Sequence, residues 1–272
     1  MKHDIRSAMR RDMKRDMKRD TRPETRRPAR WPASALRLLL VLLLLSPVAE
    51  LRAGGPLLVP PAGASDLPAA PWHVVGLPQQ TKPFTRFSVV TLEGQRVLRV
   101  EANLSYGNLV HAVLEDPGKH RLSWRWRLDE PLPGADLRKK DGDDSAIKVC
   151  AMFDLATSAV PFVERQVLRV ARLRSGETLP SASVCYVWDA KLPPGTVLTN
   201  AFTRRVRYIV LRGPEAPLHT WVSEQRDVWA DVLKVFADEA EAVPPLVGVA
   251  IGADADNTQG HSLAHVESIT LD

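Results

Sequence analysis

Cysteine is nearly absent from this chain, with only Cys150 and Cys185 among 272 residues. That count excludes a disulfide-built scaffold and a multi-cysteine zinc centre. Both residues sit in strand-like runs. A bridge between them is open, and two buried free thiols are the expected state. No cysteine stands just after the N-terminal apolar run, which excludes lipid anchoring through one there. The sequence also lacks a Gly-x-Ser-x-Gly elbow, a phosphate-binding loop and a dinucleotide fingerprint. Long apolar runs are missing too. The longest, Leu38 to Leu45, falls well short of the ~20 residues needed to span a bilayer.

The chain is basic overall, with a formal charge of +5, but the basicity is local. Residues 1–37 hold 13 Lys/Arg and 5 Asp/Glu, while the remainder holds 24 Lys/Arg and 27 Asp/Glu. The body is therefore mildly acidic, which argues against nucleic-acid binding. A positive stretch, a short leucine-rich core and small residues after it read as a secretory signal over 1–53. This predicts a periplasmic or secreted protein with no membrane span once the signal is cleaved. Residues 54–71 are rich in Pro, Ala and Gly and read as a linker. Structure is expected over 72–272.

From Trp72 onward, short runs with alternation or dense β-branching are separated by turn signals. The sharpest is His120 to Leu128, where Leu122, Trp124, Trp126 and Leu128 share one face and Arg121, Ser123, Arg125 and Arg127 the other. Trp124 and Trp126 therefore read as core. Arg96 to Asn103, Ala146 to Phe153, Val247 to Ala253 and Leu263 to Leu271 are further strands. Phe162 to Leu173 and Arg226 to Ala237 instead carry apolar residues at helical spacing. Nine or ten strands with two inserted helices predict a mainly β, two-sheet β-sandwich of jelly-roll type. In Val247 to Ala253, small residues Gly248, Ala250 and Gly252 share one face. Either a helix or a ligand can approach such a face closely.

Two acidic loops are the candidate site. Gly142-Asp143-Asp144 precedes a strand, and Asp254-Ala255-Asp256-Asn257-Thr258 follows one. Asp254, Asp256 and Asn257 offer hard oxygen ligands that suit calcium, though the spacing is not that of an EF-hand. The same carboxylates are common turn formers, so a structural role stands beside the ligand-binding one. A third reading is a hydrolytic pair drawn from Asp143 or Asp144 and Asp254 or Asp256. Arg125, Arg127 and Lys148 are expected to line a polar sheet face. Trp188 and Trp221, near strand ends, are candidates for stacking on a ligand. His261 and His265 share the spacing of helical zinc ligands, but on a strand they stand roughly 13 Å apart. Zinc is therefore disfavoured.

These motifs in order resemble one family. They are Leu122-Ser-Trp-Arg-Trp-Arg127, Lys140-Asp-Gly-Asp-Asp144, Tyr186-Val-Trp188, Trp221-Val-x-Glu-x-Arg226 and Asp254-x-Asp-Asn-Thr258. Together they are similar to the exported bacterial family called domain of unknown function 3047, over about residues 72–271. The resemblance implies a secreted or periplasmic β-sandwich and supplies no catalytic residues. That family usually has Arg where this chain has Lys148. The last strand, Glu267-Ser-Ile269-Thr-Leu271, is also similar to the closing strand of galactose-binding-like jelly rolls. The combined expectation is a noncatalytic module that binds an envelope or extracellular ligand such as a glycan. A hydrolase and a purely structural envelope protein are the alternatives.

Overall fold

The computed structural model describes residues 57–113, 118–175 and 179–272. The expected secretory signal over 1–53 lies outside them. Twelve strands are present among the described residues, in two sheets. The seven-stranded sheet has the order β1-β4-β11-β6-β7-β9-β8. Its members are β1 (His73–Val75), β4 (Tyr106–Ala112), β6 (Ser145–Phe153), β7 (Ala182–Trp188), β8 (Val197–Thr199), β9 (Val206–Arg212) and β11 (Leu246–Asp254). The five-stranded sheet runs β10-β5-β12-β3-β2. It is built from β2 (Arg86–Leu92), β3 (Gln95–Asn103), β5 (Arg121–Glu130), β10 (Val222–Asp227) and β12 (His261–Leu271). Every strand pair is antiparallel except β7 with β9. The described residues thus form a jelly-roll-like, mainly β two-sheet sandwich with two helices.

Alternation dictates which residues fill the core. In β5, Leu122, Trp124, Trp126 and Leu128 are all nearly inaccessible. They meet the inward residues of β6 and β7 across the sandwich. Trp124 lies 5.3 Å from Tyr186 and Trp126 lies 5.8 Å from Trp188, ring centre to ring centre. Such tilted aromatic pairs add to the apolar area they bury. On β6, Ile147, Val149, Ala151 and Phe153 point inward, while Lys148, Cys150 and Met152 point away from the core.

Both expected helices form. The first, α1, spans Phe162–Ser175. The second, α2, spans Val228–Val235 and is shorter than the sequence pattern implies. Arg226 and Asp227 end β10 instead, and Asp227 caps α2 by accepting from the amides of Trp229 and Ala230. Val228, Val232 and the adjoining Phe236 join the core. The strands missing from the sequence reading are the short edge strands β1, β8 and β10, where alternation has too few residues to register. Residues 57–71 contain no strand or helix, in keeping with their composition, yet they are packed down. Leu58 is buried in the core, and the Trp72 indole donates to the Val59 carbonyl.

The two cysteines depart from expectation. Cys150 and Cys185 are direct partners across β6 and β7, with Cα atoms 4.0 Å apart, and they form a disulfide. Facing positions in adjacent antiparallel strands bring Cβ atoms close enough for this. Sequence alone could not place Cys150 opposite Cys185.

Candidate functional site

The two acidic loops meet. A 3-10 turn, Lys140–Gly142, brings the chain into β6. Gly142 is buried against the backbone of Asp136, and a Cβ there would stand 3.0 Å from the Asp136 nitrogen. This close approach explains the glycine of the Gly-Asp-Asp motif. The two acids after it go to different tasks.

Asp144 turns toward the 254–260 loop. One of its oxygens, Oδ1, accepts from the Asn257 amide and side-chain Nδ2, both at 3.2 Å. The other, Oδ2, accepts from the Thr258 amide and hydroxyl, both at 2.6 Å. Four acceptor bonds fill the lone pairs a carboxylate offers. Asp254 accepts from the Ser145 amide at 2.8 Å and from Lys148 Nζ at 2.9 Å. Asp256 pairs with Lys82 at 2.7 Å.

Asp143 turns the other way. Its carboxylate takes a hydrogen bond from Asn200 Nδ2 at 2.5 Å and one from the Tyr208 hydroxyl at 3.3 Å. It thereby faces a groove of about 790 Å³ on the outer face of the seven-stranded sheet. One end of the groove is polar, lined by Asp143, Lys148, Asp254, Asn108, Tyr106 and Tyr208. The rest is mostly apolar, though Glu164, Ser183, Thr203 and Arg205 also line it. Its floor is the Cys150–Cys185 bridge, Met152, Val110 and Ala250, and one wall is Val167, Leu168 and Ala171 of α1.

The small-residue face of β11 now has its reason. A Cβ on Gly252 would lie 2.2 Å from Asn108 Oδ1 and 3.0 Å from Lys148 Cε. Gly252 therefore lets two polar side chains lean across the sheet into the groove. Gly248 does the same for Met152. Of the two occupants expected for this face, a helix or a ligand, α1 supplies only a wall and the middle stays open.

Burial sets the electrostatics. Asp143, Asp144, Lys148 and Asp254 are each no more than 6% exposed. Burial pushes Asp254 up to about 6, against the pull of Lys148. It raises Asp143 as well, and it raises the phenols of Tyr106 and Tyr208. Burial opposes the charge on Lys148, but the Asp254 carboxylate together with the Tyr106 and Tyr208 side chains outweighs it and holds the ammonium above its ordinary range. The Lys148 nitrogen also stands 5.4 Å from the Tyr106 ring centre.

As to a cation, carboxylate oxygens of Asp144, Asp254 and Asp256 lie within 4.8 Å of one another. Asp144 thus joins Asp254 and Asp256 there, while Asn257 turns its side-chain nitrogen to Asp144 and to the Asp143 carbonyl. A cation here would compete with two lysine ammonium groups and with the four donors on Asp144.

Other expected site residues lie elsewhere. Arg125 and Arg127 do not share a face with Lys148, contrary to expectation. They project from the five-stranded sheet, on the far side of the sandwich. Arg125 pairs with Glu267, and Arg127 pairs with Asp129 and Glu93. Trp221 joins that surface, donating to Glu93 at 3.1 Å beside the Arg125 guanidinium. Trp188 is 3% exposed and packs against Trp126 in the core, outside the groove and beside a smaller cavity that Leu128, Leu132 and Asp144 also line. His261 and His265 make separate contacts, with Glu130 and with Asp129. Tyr106, Asn108, Asn200, Tyr208 and Lys82 were missed. The only signal for the first two was their alternate spacing in a strand with small and apolar residues between and after them.

The sequence matches the family described as "Protein of unknown function (DUF3047)" over residues 70–270, and the chain belongs to that family. No protein of curated function matches it. Among solved structures, it is similar to the xyloglucanase domain of NopAA from Sinorhizobium fredii, in complex with cellobiose. The identity is 10%, coverage is 75% of this chain and 99% of that one, and the TM-score is 0.37. It is also similar to endoglucanase 3 of Trichoderma harzianum at 11% identity, 75% and 98% coverage, and a TM-score of 0.36. Tailspike protein 4 of bacteriophage CBA120 matches at 5% identity and a TM-score of 0.34, and the chain spans 20% of its length. At these scores no residue or activity carries over.

Proposed function

We propose that this member of the family is an exported, noncatalytic binding module whose ligand lies in the groove of the seven-stranded sheet. The ligand is an amphipathic glycoconjugate of the cell envelope, with its sugar at the polar end and its apolar part along the floor. The observation that carries this reading is the asymmetry of the groove. Hydroxyl, amide, carboxylate and ammonium groups converge at one end, and apolar side chains with a disulfide make up most of the remainder, beside Glu164, Ser183, Thr203 and Arg205. A sugar's hydroxyls both donate and accept, so they suit a mixed set of this kind. A free polysaccharide fits less well, because the indoles that would stack on it lie outside the groove. The pocket's size and largely apolar lining are those of small-molecule sites.

Binding is favoured over hydrolysis because each acid at the polar end already has protein partners. Asp254 remains the one group that favours the hydrolytic reading. Burial keeps it partly protonated near pH 6, at the edge of the groove.

Thermal unfolding with octyl glucoside below its micellar concentration, with glucose and with octanol tests the reading. At tenfold its dissociation constant the glycoside raises the midpoint by about 3–6 °C, more than either part alone. Ala250→Trp, which fills the groove, removes the shift. An equal shift in that variant defeats the proposal. Release of p-nitrophenol from aryl glycosides, lost in Asp254→Asn, would favour the hydrolase.

A further inference from the structure

The outward face of α1 is largely apolar, with Gln166 exposed among its apolar side chains. Phe162, Val163, Val167, Val170 and Leu173 are 69%, 72%, 64%, 45% and 78% exposed. At 3.6 residues per turn they fall within an arc of about 140°. Leu168 and Ala171 lie on the other side, toward the sheet, and Val167, at the edge of the arc, borders both the groove and the outer face. Single exposed apolar residues are ordinary, but five on one helix face form a patch, and such patches mark interaction sites.

The charges on the helix say what kind of partner fits. It carries Arg165, Arg169, Arg172 and Arg174 against Glu164 alone. Glu164 is neutralised by Arg205 at 3.0 Å. Arg165 and Arg172 reach back to the body, donating to the carbonyls of Val160 and Leu179. Arg169 and Arg174 instead stand near the two edges of the apolar arc, with no acidic partner among the described residues. An apolar stripe flanked by arginines is the pattern of a helix that lies in a membrane interface. No helix among the described residues is long and apolar enough to cross a membrane, and an interfacial helix needs no such length.

We infer that α1 docks this protein on an anionic phospholipid surface. Phe162, Val163, Val167, Val170 and Leu173 enter the acyl boundary, and Arg169 and Arg174 meet the lipid phosphates. The same helix walls the groove with Leu168 and Ala171, so docking sets the groove beside the lipid. The inference stands on the outer face of α1 and does not require the groove to bind a glycoconjugate.

Co-sedimentation with vesicles tests it, using the folded chain from residue 54 onward. Vesicles of phosphatidylcholine with about a third phosphatidylglycerol are compared with vesicles of phosphatidylcholine alone. The anionic vesicles are expected to bind at least tenfold more tightly, with the difference shrinking at high salt. Val163→Glu with Leu173→Glu abolishes binding, and Arg169→Glu with Arg174→Glu weakens it on the order of tenfold or more. These positions are exposed, so the variants keep the wild-type unfolding midpoint. Ala250→Trp leaves vesicle binding intact, which separates this result from failure of the groove reading. Equal, weak binding to both vesicles overturns the inference. So does a stable dimer in light scattering that Val163→Glu with Leu173→Glu dissociates, because the stripe would then be covered by a second copy.

Discussion

Asp144 and Thr258 are joined twice, although 114 positions separate them in the chain. The Thr258 amide and hydroxyl both donate to Asp144 Oδ2 at 2.6 Å. With the two bonds from Asn257, they close one end of the sandwich and hold Asp254 and Asp256 at the groove's polar end. Asp144 is thus a latch, and its neighbour Asp143 faces the groove, as Asp254 does.

The latch predicts a stability effect. Asp144→Ala leaves four half-buried donors of Asn257 and Thr258 without their acceptor, at a cost of about 2–3 kcal/mol. Thr258→Val loses only the hydroxyl bond and costs about 1 kcal/mol. Urea unfolding of the two variants checks the order. Equal, negligible losses would show that the loop is held by something else.

A second prediction concerns pH. The Asp254 carboxyl is raised in the folded chain to about 6 from an ordinary 3.8. The folded state then binds a proton more tightly than the unfolded state does. This contribution is fully present below pH 4 and is lost as pH rises through 6, a change of ~3 kcal/mol. Asp254→Asn removes that slope while lowering stability overall, since Lys148 loses its partner. Unfolding free energies from pH 4 to 7 in both proteins give the difference. Parallel curves would contradict the assignment.

Gly252 is predicted to be intolerant of a side chain. Gly252→Ala displaces Asn108 and Lys148, costs roughly 1–3 kcal/mol and weakens ligand binding in the groove. A crystal structure of the variant with both side chains unmoved would refute the close-approach argument.

The disulfide predicts that neither cysteine is alkylated in the denatured, unreduced chain and that both are alkylated after reduction. The bridge links residues 35 positions apart, so reduction costs about 4 kcal/mol in the chain-entropy account. Mass spectrometry reads the first, and unfolding with and without reductant reads the second.

Much of this was legible in the sequence. The alternation around Trp124 and Trp126 gave the core face of β5, and the small residues of β11 pointed to an approachable face. Gly142-Asp143-Asp144 and Asp254 to Thr258 do meet. What alternation cannot say is which sheet a strand joins. Arg125 and Lys148 both point away from the core, but from opposite sheets, so their supposed common face dissolved. Cys150 and Cys185 were unreadable as partners for the same reason, since register is a property of the paired strands. Tyr106, Asn108, Asn200 and Tyr208 are single polar residues on separate elements, and only the folded sheet gathers them.

The most direct test of the central claim is a crystal structure of the chain with an alkyl glycoside. The account predicts the sugar ring hydrogen-bonded among Asp143, Asn108 and Lys148, with the alkyl chain over the Cys150–Cys185 bridge. A ligand seated instead against Trp221 and Arg125, on the five-stranded sheet, would contradict it.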